Sequence, residues 1–177
     1  MARVSVFIDG SNLYFKLKEL RLRGLLEFDF GALIRELIGQ DEMVTARYYI
    51  GRIRQDGTEK TEELFRQQQK LIARLRRAGI IYRFGYLLKA GGAYHEKGVD
   101  VEMATDILVA AYEKQSDRII LISSDSDLIP AIKKAREKNQ IVQYVGFTHH
   151  PSRALINVCQ EKRLISREQA RSFLPKR

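Results

Sequence analysis

Short β-branched runs alternate with helical periods along almost the whole chain. The segments VSVFI (4–8), VTARYYIG (44–51), IIYRFGYLL (80–88), RIILIS (118–123) and QIVQYVGF (140–147) read as five strands. The first is apolar on both faces, which suits a central strand of a parallel sheet. Helical patterns fill the gaps at 10–20, 30–38, 61–78, 99–114 and 127–139. In the third of these, Leu64, Leu71, Ile72 and Leu75 recur at helical spacing, and Gly79 stands where a terminating glycine belongs. Pro130 fits a helix only because it lies in the first turn. Strand–helix alternation implies right-handed crossovers and a sheet covered on both faces. The expected fold is therefore a three-layer α/β/α domain with a central, mainly parallel sheet of about five strands. One domain is expected over residues 1–177, with a core at 3–165, a flexible basic loop at 89–98 and a C-terminal helical tail.

Composition narrows the class. With 177 residues, 45% hydrophobic and 30% charged, the chain reads as globular. No apolar run approaches the roughly 20 residues of a membrane span, and the N-terminus carries no signal-peptide pattern. A cytoplasmic protein with no membrane partner is the expectation. A single cysteine, Cys159, rules out a disulfide framework or a cysteine zinc site within one chain and reads as inert packing. The net charge of +9 favours anionic partners, nucleic acid first.

Within that basic background, one stretch points the other way. In ILISSDSDLIPAI (120–132) a strand runs straight into Asp125 and Asp127. Ligands of open parallel sheets bind at the carboxyl edge, beside the switch in strand order. Asp9 follows the first strand, Asp125 and Asp127 follow the fourth, and Asp100 opens the helix after the third. If the first and fourth strands are neighbours, the four carboxylates share one crevice. Each alone reads as a strand end, a partner for a helix dipole or an N-cap. Together they repel, by roughly 3 kcal/mol per pair about 5 Å apart at an effective dielectric near 20. A divalent cation resolves that repulsion, and so does protonation. All the donors are oxygens, which suits Mg²⁺ or Mn²⁺ rather than zinc. Such an ion lowers the pKa of a bound water and neutralises a phosphodiester in transfer. The implied reaction is phosphodiester hydrolysis without a covalent enzyme intermediate.

Three ordered blocks, VFIDGSN (6–12), KGVDVEMATDIL (97–108) and LISSDSDLIPAIKKAREKNQIVQYVG (121–146), resemble the NYN domain in its LabA-like branch, a group within the PIN-like nuclease superfamily. The resemblance covers roughly residues 3–165. It implies a PIN-like fold, a Mg²⁺ or Mn²⁺ cofactor and ribonuclease activity. Carried over block by block, Asp9, Asp100, Asp125 and Asp127 are the expected metal-binding and catalytic acids. Asn12 is expected to hold the site in place, and Ser124 to orient a ligand. Asp106 matches a recurrent acid of the second block. It lies six residues from Asp100, about 600° of helix, so it points away from that face and is expected to support the site indirectly or to serve the fold. Ser124 and Leu128 stand where the family usually has Gly and Phe, and Gln160 where it often has a helical acid. Related domains often dimerise, so a homodimer stays open.

RNA is the expected partner. Candidate contacts are Arg52 and Arg54 after the second strand, Lys89, His95 and Lys97 after the third, and Arg153 after the fifth. Tyr94 is placed to stack on an unpaired base. The pair His149–His150 is read as loop, because adjacent side chains rarely aim at one ion. The rival to a ribonuclease is a non-catalytic RNA-binding or scaffold protein on the same fold. No G-x-G-x-x-G or P-loop pattern follows any strand, which removes the common nucleotide cradles.

Overall fold

The computed structural model describes residues 1–90 and 93–175, with the backbone alone described at 86–90 and 93–97. The elements follow as β1 (Arg3–Asp9), α1 (Gly10–Glu19), α2 (Phe30–Ile38), β2 (Glu42–Ile50), α3 (Glu59–Arg77) and β3 (Ile81–Phe84). Next come β4 (Tyr86–Ala90), β5 (Ala93–Lys97), α4 (Val99–Tyr112), β6 (Arg118–Ile122) and α5 (Ile129–Glu137). The chain continues through β7 (Ile141–Phe147), α6 (Arg153–Val158), β8 (Glu161–Ile165) and α7 (Arg167–Ser172). Six strands form a parallel sheet in the order β3-β2-β1-β6-β7-β8. The chain winds outward from β1 to β3, then returns to the other side of β1. The switch point therefore lies between β1 and β6, the place where open parallel sheets bind ligands at the carboxyl edge.

Strand parity assigns the two faces. Val4, Val6 and Ile8 of β1, with Ile120, Ile122, Val145 and Phe147, pack against Leu13, Leu17, Leu33, Ile34 and Phe173. That is the layer of α1, α2 and the C-terminal end. Phe7, with Ile119, Leu121, Val142 and Tyr144, packs against Met103, Ile107, Ile132 and Leu155 of α4, α5 and α6. Successive strand residues point to opposite faces, so Asp9 shares the α4 side with Phe7.

Three expectations need correction. The sheet has a sixth strand, β8, where the sequence suggests only helical tail. Glu161, Lys162 and Arg163 mask its apolar pattern, and an edge strand tolerates such charges. Gln160 then lies outside any helix. Its Oε1 accepts from the Val142 amide at 3.1 Å and its Nε2 donates to the Gln140 carbonyl at 3.0 Å, tying β8 to the amino end of β7. That is the edge opposite the aspartates. The run at 80–88 is broken into β3 and β4, and the expected loop at 89–98 contains β5, paired antiparallel with β4. Leu88 sits opposite His95 and Lys89 opposite Tyr94. A Gly-Gly pair between two short runs is a hairpin signal that the charged composition obscures.

Candidate metal centre

Gly10 lets α1 start hard against β2. A Cβ there would collide with the Tyr48 ring and lie 2.7 Å from the Tyr49 carbonyl oxygen. The Tyr48 hydroxyl donates to the Gly10 carbonyl at 3.3 Å. Asp9 ends β1 and caps α1, its Oδ1 accepting from the Asn12 amide at 2.9 Å. Asp100 lies in the first turn of α4, and Asp125 caps a 3₁₀ turn (Ser126–Leu128) after β6.

These elements bring together three of the four expected acids. Asp9, Asp100 and Asp125 each offer a carboxylate oxygen within 4.8 Å of the others. Asp9 is buried, Asp125 half-buried and Asp100 exposed, so the cluster runs from the sheet edge out to solvent. Burial above all, then the charges of Asp100 and Asp125, pushes the Asp9 carboxyl above its ordinary value, against the pull of the Asn12 and Ser123 hydrogen bonds. Asp100 is raised by burial, then by Asp125 and Asp127. The charged neighbours that act most strongly on both are other carboxylates. Asp127 lies outside the close trio. It is exposed, its amide donates to Asp125 Oδ1 at 2.9 Å, and its charge is felt at Asp100.

The supporting residues form a lattice across the switch point. Asn12 Oδ1 accepts from the Ser124 amide at 3.1 Å, linking α1 to the end of β6. The Ser124 hydroxyl lies 3.4 Å from that of Tyr144, and the Tyr144 hydroxyl accepts from the Ser152 amide at 2.9 Å. Ser123 escapes sequence reasoning, yet it joins two of the acids. Its hydroxyl donates to Asp9 Oδ2 at 3.0 Å and accepts from the Asp125 amide at 3.1 Å. The doublet Ser123-Ser124 is the signal; strand parity after β6 would have selected the first serine. Asp106 stays away from the trio. It pairs with Arg47 Nη1 at 2.6 Å and accepts from the Tyr49 hydroxyl at 2.6 Å.

The donor set fits a hard divalent cation: three carboxylates, open on one side, with no nitrogen or sulfur among them. Of the expected RNA contacts, Arg52 is exposed after β2, its guanidinium 4.5 Å from the Phe84 ring centroid. Gln68 of α3 braces the Arg52–Arg54 loop, donating to the Gly51 carbonyl at 2.6 Å and accepting from the Ile53 amide at 3.0 Å. Arg153 is exposed at the first position of α6, beyond the carboxyl end of β7. The side chains of Lys89, Tyr94, His95 and Lys97 lie outside the described residues.

Residues 3–166 match the NYN domain. The chain belongs to the NYN domain family. NYN domains fall within the PIN-like nuclease superfamily. This NYN chain is 29% identical over 157 residues to the uncharacterized protein MJ0482 of Methanocaldococcus jannaschii, a match covering 88% of this chain and 52% of that protein. The chain thus spans about half the length of the curated relative it matches. A crystal structure of a protein of unknown function, VPA0982 from Vibrio parahaemolyticus, superposes with a TM-score of 0.70 at 22% identity, covering 93% of each chain. That likeness shows a shared fold. No described helix is long and apolar enough to cross a membrane.

Proposed function

We propose that this NYN chain is a metal-dependent ribonuclease, hydrolysing RNA phosphodiester bonds at the Asp9–Asp100–Asp125 cluster with Mg²⁺ or Mn²⁺. The observation that carries the reading is three carboxylates from three separate elements, converging at the switch point, where the charges felt most at Asp9 and Asp100 are those of other acids. A divalent ion held there would supply Lewis-acid stabilisation of the phosphodiester and a more acidic water.

The chain's own residues divide the remaining work. Asp9, fixed by the Asn12 amide and the Ser123 hydroxyl, is the preorganised ligand at the floor. Asp125 is set by its two local hydrogen bonds, and Asp100 reaches in from solvent. Asp127, whose charge is felt at Asp100, is assigned to accept a proton or orient a water at the rim. Arg52, Arg54 and Arg153 follow carboxyl ends of strands and are assigned to the RNA backbone. Cys159 is not the nucleophile: burial pushes its thiol up to about 11.

The test is cleavage of labelled single-stranded and structured RNA with Mn²⁺, Mg²⁺ or EDTA, beside Asp100→Asn and Asp125→Asn. Metal-dependent cutting lost in both variants supports the reading. RNA that binds but stays intact, with no Mn²⁺ uptake, favours the non-catalytic RNA-binding protein instead.

A further inference from the structure

A second group of ligand-bearing side chains lies at the turn after β7. His149 Nε2 is 3.0 Å, and His150 Nδ1 3.2 Å, from the same oxygen, Oε2 of Glu19 at the end of α1. The three side chains each offer a ligand atom within 4.8 Å of the others. Adjacent residues of a strand would point to opposite faces, so the sequence argues against one shared target. The histidines instead occupy a turn, and their rings lie side by side with centroids 5.1 Å apart. The His149 ring also leans on Phe147 at 5.8 Å, which limits its rotation.

We propose that Glu19, His149 and His150 form a second divalent-metal site, selective for a borderline ion such as Zn²⁺. Two imidazole nitrogens with one carboxylate are zinc-type donors, as in three-ligand sites that leave a position to water. The aspartate cluster holds only oxygens and selects harder ions, so the two sites differ in kind.

Exposure sets the character of the site. The side chains of His150 and Glu19 are 70% and 43% exposed, which leaves the remaining coordination positions to solvent and makes exchange fast. Two features moderate the affinity. Lys16 Nζ lies 3.6 Å from the same Glu19 oxygen and competes with an incoming cation. Ligation through Nε2 of His149 moves the ring proton to Nδ1, a buried atom with no hydrogen-bond partner among the described residues. An ion bound here joins the β7–α6 turn to the helix that Asp9 caps and whose first turn holds Asn12.

The test is calorimetric titration of Zn²⁺ into the full chain carrying Asp125→Asn, in excess Mg²⁺ so that the aspartates do not contribute. One Zn²⁺ per chain is expected. His149→Ala and His150→Ala each weaken binding tenfold or more, at least the loss seen when an outer-shell partner is removed. His150 is exposed, so its variant folds and the comparison stays valid, with a thermal melt as the check. The chain has three histidines. In imidazole NMR spectra, two are expected to shift on Zn²⁺ addition and the third, His95, to stay. No Zn²⁺ binding, or binding that His150→Ala leaves within twofold of its parent, overturns the proposal.

Discussion

Helix α4 carries two aspartates with opposite circumstances. Asp106 meets Arg47 at 2.6 Å and the Tyr49 hydroxyl at 2.6 Å, so its charge is answered within the fold. Asp100, one and two-thirds turns earlier, meets other carboxylates. The first is part of how the helix docks on β2, since Arg47 and Tyr49 both belong to that strand. Burial, then the hydrogen bond to Asp106, pushes the Tyr49 hydroxyl above its ordinary value and keeps it a donor. The second raises the energy of the folded chain until something positive arrives. The acid that serves structure meets a cation of the fold, and the acid that serves a cation site meets other acids.

Removing each kind of acid separates the two roles. Asp125→Asn is expected to cut RNA cleavage by about a thousandfold, the several kcal/mol a catalytic metal supplies, while leaving the melting temperature unchanged or raised. Cleavage by that variant at more than a tenth of the parent rate would contradict the assignment. Asp106→Asn strands a mostly buried Arg47 and is expected to destabilise by about 3 kcal/mol. Urea unfolding measures that loss, and cleavage per folded molecule should stay within twofold. Ser123→Ala removes a hydroxyl that touches both Asp9 and Asp125. Its expected effect is a 10–100-fold weaker metal affinity with little change in unfolding.

The smallest effect is in pH dependence. Asp9 and Asp100 have carboxyls raised above 3.8 in the folded chain. The folded state therefore binds more protons than the unfolded state between 3.8 and the raised values, and stability falls as pH rises through that window. Without metal, Asp100→Asn should flatten this fall and melt higher than the parent at neutral pH. Saturating Mn²⁺ should erase the difference. Melts across pH in EDTA and in Mn²⁺ check both statements, and a steeper fall in the variant would reverse the sign.

Much of this contrast was legible in the sequence. Asp9 and Asp125 follow β1 and β6, neighbouring strands buried from their second residue on, and the carboxyl edge of adjacent strands brings such positions together. Asp106 was separable because helical rotation turns it from Asp100. What escaped lies where charge obscures pattern. β8 reads as polar until its register with β7 is known, and the β4–β5 hairpin hides behind glycines and a basic composition. The convergence of His149 and His150 on Glu19 spans about 130 residues, and no local spacing announces a turn that aims two neighbours at one atom.

The most direct measurement is Mn²⁺ binding, by electron paramagnetic resonance titration, to the parent, Asp125→Asn and Asp106→Asn proteins. A cation site at the clustered acids predicts at least tenfold weaker binding in Asp125→Asn and unchanged binding in Asp106→Asn. Equal Mn²⁺ affinity in all three would contradict it.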